Sequence, residues 1–469
     1  MKKLKPTRTE SIFFIFLLLV SFLLRFWGLG YSDFYGDETK TFYLDKTTPA
    51  SQFFIDQRKG PLQFFVVWTT EKILGGHNEF WTRLPFAVAG FLSVIVFYYI
   101  VRRLFGWRAA LVSAWLFSVS GFFVAFSRTI QYQSILLFFG LLAVCLFLER
   151  LYLFSSIALV LAFYAHYDAV FFFIPIMYLI LKSDLRKSWK EVLTSFLIPF
   201  LVLVGIFYVP YILSGYLETN TVGYLERRFL GRDYVLNHSL YTLFIYNPTV
   251  LFFITSLTFI FSLFWADKNG HRDLILFWLF VPLLVFELLI LNPGTHILGY
   301  LIPLLVLVGY VFTKLQSISK FVTNVTFGFL IFCITITSFR TFVPAFEYDY
   351  PWANLETRKY HLFLYGFPYN RGWNQISKYF NDLRTSGERV TGVFTNDNDT
   401  IAEYYLMGFD YTPPGSNFRP QYYIHVYNNQ EFGVKDEKWY ELFFVDYSLE
   451  KEFFVKGRLV AEVYKMKPL

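Results

Sequence analysis

The sequence predicts an all-α polytopic membrane protein of about eleven transmembrane helices, followed by a small C-terminal extracytoplasmic α/β domain. Three observations predict it. First, 55% of the 469 residues are hydrophobic and only 16% are charged, with a mean hydropathy of +0.43, whereas a soluble globular chain is about 25% charged. Second, apolar runs recur at lengths near the roughly 20 residues that a spanning helix needs. Third, Lys and Arg gather in alternate short loops between those runs, which is the bias that orients a multi-pass chain.

The first run starts at Ile12 behind Lys2, Lys3, Lys5 and Arg8, like a signal peptide. It continues past Arg25-Phe26-Trp27 with no small-residue cleavage site, so it reads as an uncleaved first span. Further runs are centred near Val94, Leu116, Leu141, Leu159, Ile176, Val202, Thr255, Leu283, Leu305 and Phe329; the two over 153–181 are short and contain His166. With the N-terminus cytoplasmic, the inner loops collect Arg102, Arg103, Arg108, Arg150, Lys182, Arg186, Lys187, Lys190, Lys268, Arg272, Lys314 and Lys320. The short outer loops near 128, 167 and 294 hold only Arg128. Two outer connections are long, 32–78 and 214–247. Beyond residue 340 the chain turns polar and mixed, with a helical pattern over 373–383 and strand-like runs at 390–395, 422–426 and 459–464. The expected division is a transmembrane domain, 1–340, and an extracytoplasmic α/β domain, 341–469.

The formal charge of +7 would suit nucleic acid only if the basic residues shared one soluble face. They lie in loops between apolar runs, so no nucleic-acid partner is expected. Cys145 and Cys333 both sit inside apolar runs, which excludes a disulfide framework and a cysteine metal site.

Sorted by side, the ionisable residues gather on the outer face: Asp37, Glu38, Arg58, Lys59, Arg83, Arg128, His166, Asp168, Arg227, Arg228, Arg232 and His296, with Gln131 and Gln133 among them. Such groups at the ends of spanning helices usually face a bundle interior or a wet cavity. A cleft of both signs at a membrane boundary suits a substrate with a lipid tail and an anionic head. If a sugar leaves such a lipid as its phosphate, the leaving group needs no proton. One carboxylate then suffices as general base for the acceptor, unlike the acid–base pair of glycoside hydrolases. Asp37 is the candidate base, and Glu38 is expected to orient the acceptor or the loop; if it only orients the loop, Glu38→Gln is the milder change. The departing phosphate calls for fixed cations, for which Lys59 and Arg128 are the candidates, with Arg58 as a neighbour.

Five stretches carry a family resemblance: Tyr35-Gly-Asp-Glu-Thr39, Arg58-Lys-Gly-Pro-Leu62, Glu79-Phe-Trp-Thr-Arg-Leu-Pro85, Arg102-Arg-Leu-Phe-Gly106 and Ser127-Arg-Thr-Ile-Gln-Tyr-Gln133, with a weaker sixth at Tyr164-Ala-His-Tyr167. In this order and topology the chain resembles the C-type (GT-C) glycosyltransferases that use polyprenyl-phosphate sugars, the superfamily of protein O-mannosyltransferases and aminoarabinose transferases. The resemblance covers about residues 10–185 and later spans loosely. It implies a catalytic aspartate at Asp37 and a basic residue at Lys59, and contacts to phosphate or sugar from His166. Residues implied to meet sugar or acceptor are Gln133, Tyr167, Asp168, Arg227, Arg228, His296 and Tyr300. Two departures stand out. Gly60 precedes Pro61 where the family more often has two prolines, and Gln133 stands where many relatives carry a second acid.

The function expected is an inverting transferase. It moves a single sugar, hexosyl or pentosyl, from a polyprenyl-phosphate carrier to a protein, lipid or polysaccharide acceptor at the outer face of the bilayer. The alternatives are a membrane transporter or lipid flippase, or a catalytically inactive scaffold. No cofactor is expected to be required, and a divalent metal stays open because some relatives of this architecture use one. Asn398-Asp-Thr400 is formally a glycosylation acceptor, a motif too common to carry weight.

Overall fold

The computed structural model describes residues 6–182, 189–230, 243, 246–247, 249–265, 270–291, 295–343, 370–411, 419–427 and 446–467. Arg186, Lys187, Arg232 and Lys268 lie outside the described residues, and nothing is described of the Arg227 side chain.

The first helix, α1 (Arg8–Phe26), opens with a capping box in which Thr7 Oγ1 accepts from the Glu10 N–H at 3.1 Å. The connection expected as one long outer loop folds into three helices, α2 (Gly36–Thr39), α3 (Ala50–Ile55) and α4 (Leu62–Leu74). Then come α5 (Glu79–Phe105), α6 (Trp107–Val119), α7 (Gly121–Ser127), α8 (Tyr132–Leu148), α9 (Tyr152–Ala165), α10 (Val170–Lys182) and α11 (Trp189–Leu213). The second long connection carries α12 (Gly223–Leu230), and the bundle ends with α13 (Thr249–Phe264), α14 (His271–Leu284), α15 (Leu298–Ile318) and α16 (Lys320–Phe342).

Each expected span centre falls on one of these helices, but the expected count of eleven spans is not met by length. Among the described residues five helices are long and apolar enough to cross a bilayer, or six if α6 and α7, bent by 58°, form one span. The chain is an integral, multi-pass membrane protein. The physical reason for the short helices is visible in burial. Residues from Gly121 through Leu137 are all buried, so the loop between α7 and α8 runs inside the protein. Irregular backbone at such a place is tolerated only when its polar groups find partners. Arg25 supplies one, donating to the Ser118 carbonyl at 3.0 Å beside the α6–α7 break. The centre of the bundle is α15, buried from Leu298 to Phe312, while Ile15, Leu201 and Phe321 expose apolar surface on the outer helices, as lipid-facing helices do.

The C-terminal residues build α17 (Trp373–Thr385), β1 (Val393–Thr395), α18 (Asp399–Tyr405), β2 (Tyr422–Val426), β3 (Tyr447–Val455) and β4 (Arg458–Met466). The sheet order is β1-β2-β4-β3, with β1 and β2 parallel and the other pairs antiparallel. Its core is Trp373, Ile376, Phe380, Tyr422, Ile424 and Val463, all fully buried.

Candidate active site

Asp37 and Glu38 are neighbours on α2, yet successive helical residues are turned by about 100°, and the two carboxylates meet different surroundings. Glu38 is fully buried. Its Oε1 accepts from Arg83 Nε at 2.9 Å and from the Ile130 N–H at 2.8 Å; its Oε2 accepts from Arg83 Nη2 at 2.7 Å and from the Tyr35 N–H at 2.8 Å. Arg83, also buried, directs its remaining N–H groups to the carbonyls of Leu29, Ser32 and Asp33 at 2.8–3.3 Å. A buried pair is sustained when such hydrogen bonds satisfy it on every side. This one joins three of the stretches singled out in the sequence, around residues 35, 83 and 130. With both carboxylate oxygens so engaged, Glu38 braces the loop, the second of the two places expected for it.

Asp37 has a side chain 34% exposed, paired at 3.0 Å with the exposed Lys40. Such a surface pair contributes little and leaves the carboxylate approachable.

Lys59 is held at the turn before α4. Gly60 takes φ +108°, and a Cβ there would stand 2.4 Å from the Tyr164 carbonyl oxygen. Proline is locked near −65°, which explains why this chain has Gly60 where the resembled family carries another proline. The Lys59 ammonium lies 5.3 Å from the centre of the Tyr132 ring and makes no hydrogen bond or ion pair with the described residues. Burial pushes it below the ordinary lysine range; the Asp37 carboxylate opposes that shift, while Arg58, Lys40 and Arg228 add to it. Arg58 lays its guanidinium on the Tyr224 ring at 3.8 Å. From α12, Arg228 donates to the Tyr224 hydroxyl at 2.9 Å. The basic groups at 58, 59 and 228 thus share one electrostatic neighbourhood with Asp37.

Beside them stands a triad. His296 Nδ1 is 2.6 Å from Asp168 Oδ2, the Tyr132 hydroxyl is 3.2 Å from the same nitrogen, and His166 Nδ1 accepts from the Asp168 N–H at 3.1 Å. His166 stacks on Tyr132 with ring centres 3.8 Å apart, and the Tyr167 ring is likewise 3.8 Å from that of His166. Burial pushes the His166 imidazole down to about 4, so it is neutral at ordinary pH. Burial raises Asp168, but the two histidines outweigh it and hold this carboxyl below the usual range. Among the described residues this is the one grouping that could hold a metal ion, its ligand atoms all within 4.8 Å of one another. A donor set of two imidazoles and a carboxylate suits zinc-like ions. The same atoms, however, already hydrogen-bond one another, and the cations around Lys59 disfavour another positive charge.

The remaining expected residues separate. Arg128 is 5% exposed and donates to the carbonyls of Leu24 and Gly28, at 2.9 and 3.1 Å. Two of its five N–H groups thus close the C-terminal end of α1. Gln133 donates to Thr295 Oγ1 at 3.3 Å, next to His296, and its carbonyl oxygen is buried without a partner among the described residues. Tyr300 is fully buried against Phe286, inside the bundle.

A family model described as dolichyl-phosphate-mannose-protein mannosyltransferase matches residues 58–212. An uncharacterized protein of Aquifex aeolicus (strain VF5) is 26% identical over 341 residues, spanning 68% of this chain and 67% of its own. Crystal structures of ArnT from Cupriavidus metallidurans superimpose along almost the whole length. The apo form matches at TM-score 0.59 and 12% identity, and the form bound to undecaprenyl phosphate at 0.60 and 13%, each covering 97% of both chains. The fold is that of ArnT. Within the candidate site, two residues that sequence reasoning passed over stand beside the expected ones, Tyr132 and Tyr224. Both carried a signal. Tyr132 lies between the two glutamines of its motif, and Tyr224 precedes Arg228 by one helical turn, the spacing at which side chains meet.

Proposed function

We propose that the chain transfers a sugar from a polyprenyl-phosphate carrier to an acceptor hydroxyl or amine at the outer face, with inversion at the anomeric carbon. The observation that carries this reading is the uncommitted Lys59 ammonium, which shares its surroundings with Arg58 and Arg228 on one side and the approachable Asp37 carboxylate on the other. Lys59 and its neighbours bind the donor phosphate. Asp37 takes the proton from the acceptor as its oxygen or nitrogen bonds to the anomeric carbon. The bond from that carbon to the phosphate oxygen breaks on the opposite side, so a single displacement inverts the configuration. Negative charge grows on the phosphate, where fixed cations in a water-poor site are most effective. Gln133, with a buried carbonyl oxygen free of protein partners, and the triad of His166, Asp168 and His296 support the sugar end, with Tyr167 behind them.

The loop charges support this orientation. Arg102, Arg103, Arg108, Arg150 and Lys314 lie at the helix ends opposite Asp37, and cytoplasmic loops carry the excess of Lys and Arg. Lys59→Ala is expected to weaken donor binding by about 1.5–3 kcal/mol, the scale of a hydrogen bond to a charged group. Titrating the purified protein with polyprenyl-phosphate sugar checks this, and unchanged affinity would remove Lys59 from the phosphate site. The reaction requires no metal in this reading: transfer is expected to persist after chelation. A loss restored by a single divalent cation would instead make His166, Asp168 and His296 its ligands.

A further inference from the structure

We infer that the C-terminal α/β unit is a positioning platform for Asp37, acting through Thr400 and Tyr405; this rests on the reading of Asp37 as the base. The stretch from Tyr31 to Thr39 is held from two sides. On the membrane side stands the Glu38–Arg83 pair already described. On the other side, among the described residues, four hydrogen-bonded anchors come from the C-terminal unit: Asn370, Arg371, Thr400 and Tyr405. Asn370 donates to the Tyr31 carbonyl at 2.7 Å, and the Arg371 N–H donates to Asp33 Oδ2 at 2.5 Å. The Phe34 N–H donates to the Tyr405 hydroxyl at 2.9 Å, and that hydroxyl donates in turn to Glu79 Oε1 at 2.8 Å.

The contact extends to α2 itself. The Thr400 hydroxyl lies 3.2 Å from the Gly36 carbonyl and 2.7 Å from Asn398 Oδ1, and the Thr39 hydroxyl lies 3.2 Å from the Thr400 carbonyl. A Cβ at Gly36 would stand 2.7 Å from Asn398 Oδ1, so α18 sits directly on the residue that precedes Asp37. The stretch 398–400, formally a glycosylation acceptor, is thereby taken up as the helix cap, with Asn398 Oδ1 accepting from the Thr400 N–H at 3.1 Å. A four-residue helix has too few internal bonds to fix its own orientation. The unit that clamps both of its ends therefore sets where the Asp37 carboxylate stands, and a displacement of about 1 Å at a reacting group can cost 10²-fold in rate.

The test uses the full chain in lipid, with kcat, KM for donor and acceptor, and donor Kd measured separately. Thr400→Ala and Tyr405→Phe are each expected to lower kcat about tenfold or more while donor Kd stays unchanged, and Thr400→Ser is expected to restore the rate. In an Asp37→Asn background, Thr400→Ala is expected to add no further loss, because the group it positions is gone. If Thr400→Ala does not fold, Tyr405→Phe, which lacks one oxygen only, carries the same expectation. Unchanged kcat in folded variants, a raised acceptor KM with unchanged kcat, or a full additional loss in the Asp37→Asn background would overturn the inference. Full transfer by Asp37→Asn alone would overturn the underlying reading of the base instead, so the two failures are distinguishable.

Discussion

Asp37→Asn is expected to cut transfer by about 10²–10⁴-fold, the range over which a positioned general base contributes, while the lipid-linked donor still binds. Asparagine keeps the size of the side chain and an oxygen that accepts hydrogen bonds, but its amide cannot take the acceptor's proton. The sign on binding is the more diagnostic half. Asp37 is the acid that most offsets the cations acting on Lys59. Removing its charge should leave donor affinity equal or slightly higher, since a phosphate and a carboxylate at short range repel. A transporter that used Asp37 to hold a cation or a cationic substrate would lose binding in the same variant. Equilibrium binding of polyprenyl-phosphate sugar, beside single-turnover transfer, separates the two.

Glu38→Ala is expected to destabilise the protein by about 3–5 kcal/mol, the cost of leaving a buried charge without its partner. The carboxylate is fully buried and accepts from Arg83 twice and from two backbone N–H groups. Glu38→Gln is not mild either, because its amide nitrogen would face donors where an acceptor is needed. From sequence alone Glu38→Gln ranks as the gentler neighbour of Asp37→Asn. The geometry reverses that order for stability: Glu38 variants should lower the thermal midpoint, and Asp37→Asn should hardly move it. A Glu38→Gln variant as stable as wild type would remove the pair as the support of this loop.

Helix positions and the α/β character of the C-terminal unit were legible because they are local. Apolar length marks each bundle helix, and β2 (Tyr422–Val426) lies where the alternating run predicts it. The difference between the candidate cations was not local. Lys59 and Arg128 look alike as basic residues near an outer helix end. What distinguishes them is that Arg128 finds two carbonyls about a hundred positions away, at Leu24 and Gly28, while Lys59 makes no hydrogen bond or ion pair with the described residues. The same distance hid the triad, whose Asp168 and His296 are 128 positions apart, and the docking of Thr400 on Gly36. Span length was harder to read for a related reason: the segment of α9 is short in sequence and still counts toward the eleven expected spans. In the structure α9 stops short at His166, where the chain turns inward to build the site.

The central claim is that a sugar–phosphate bond is broken, and the measurement that tests it most directly follows both products. Purified wild-type protein in lipid vesicles, given polyprenyl-phosphate sugar and a set of candidate acceptors, should release free polyprenyl phosphate in one-to-one step with a glycosylated acceptor of inverted anomeric configuration. Movement of the lipid-linked sugar across the bilayer with its phosphate–sugar bond intact, and no polyprenyl phosphate released, would contradict the account.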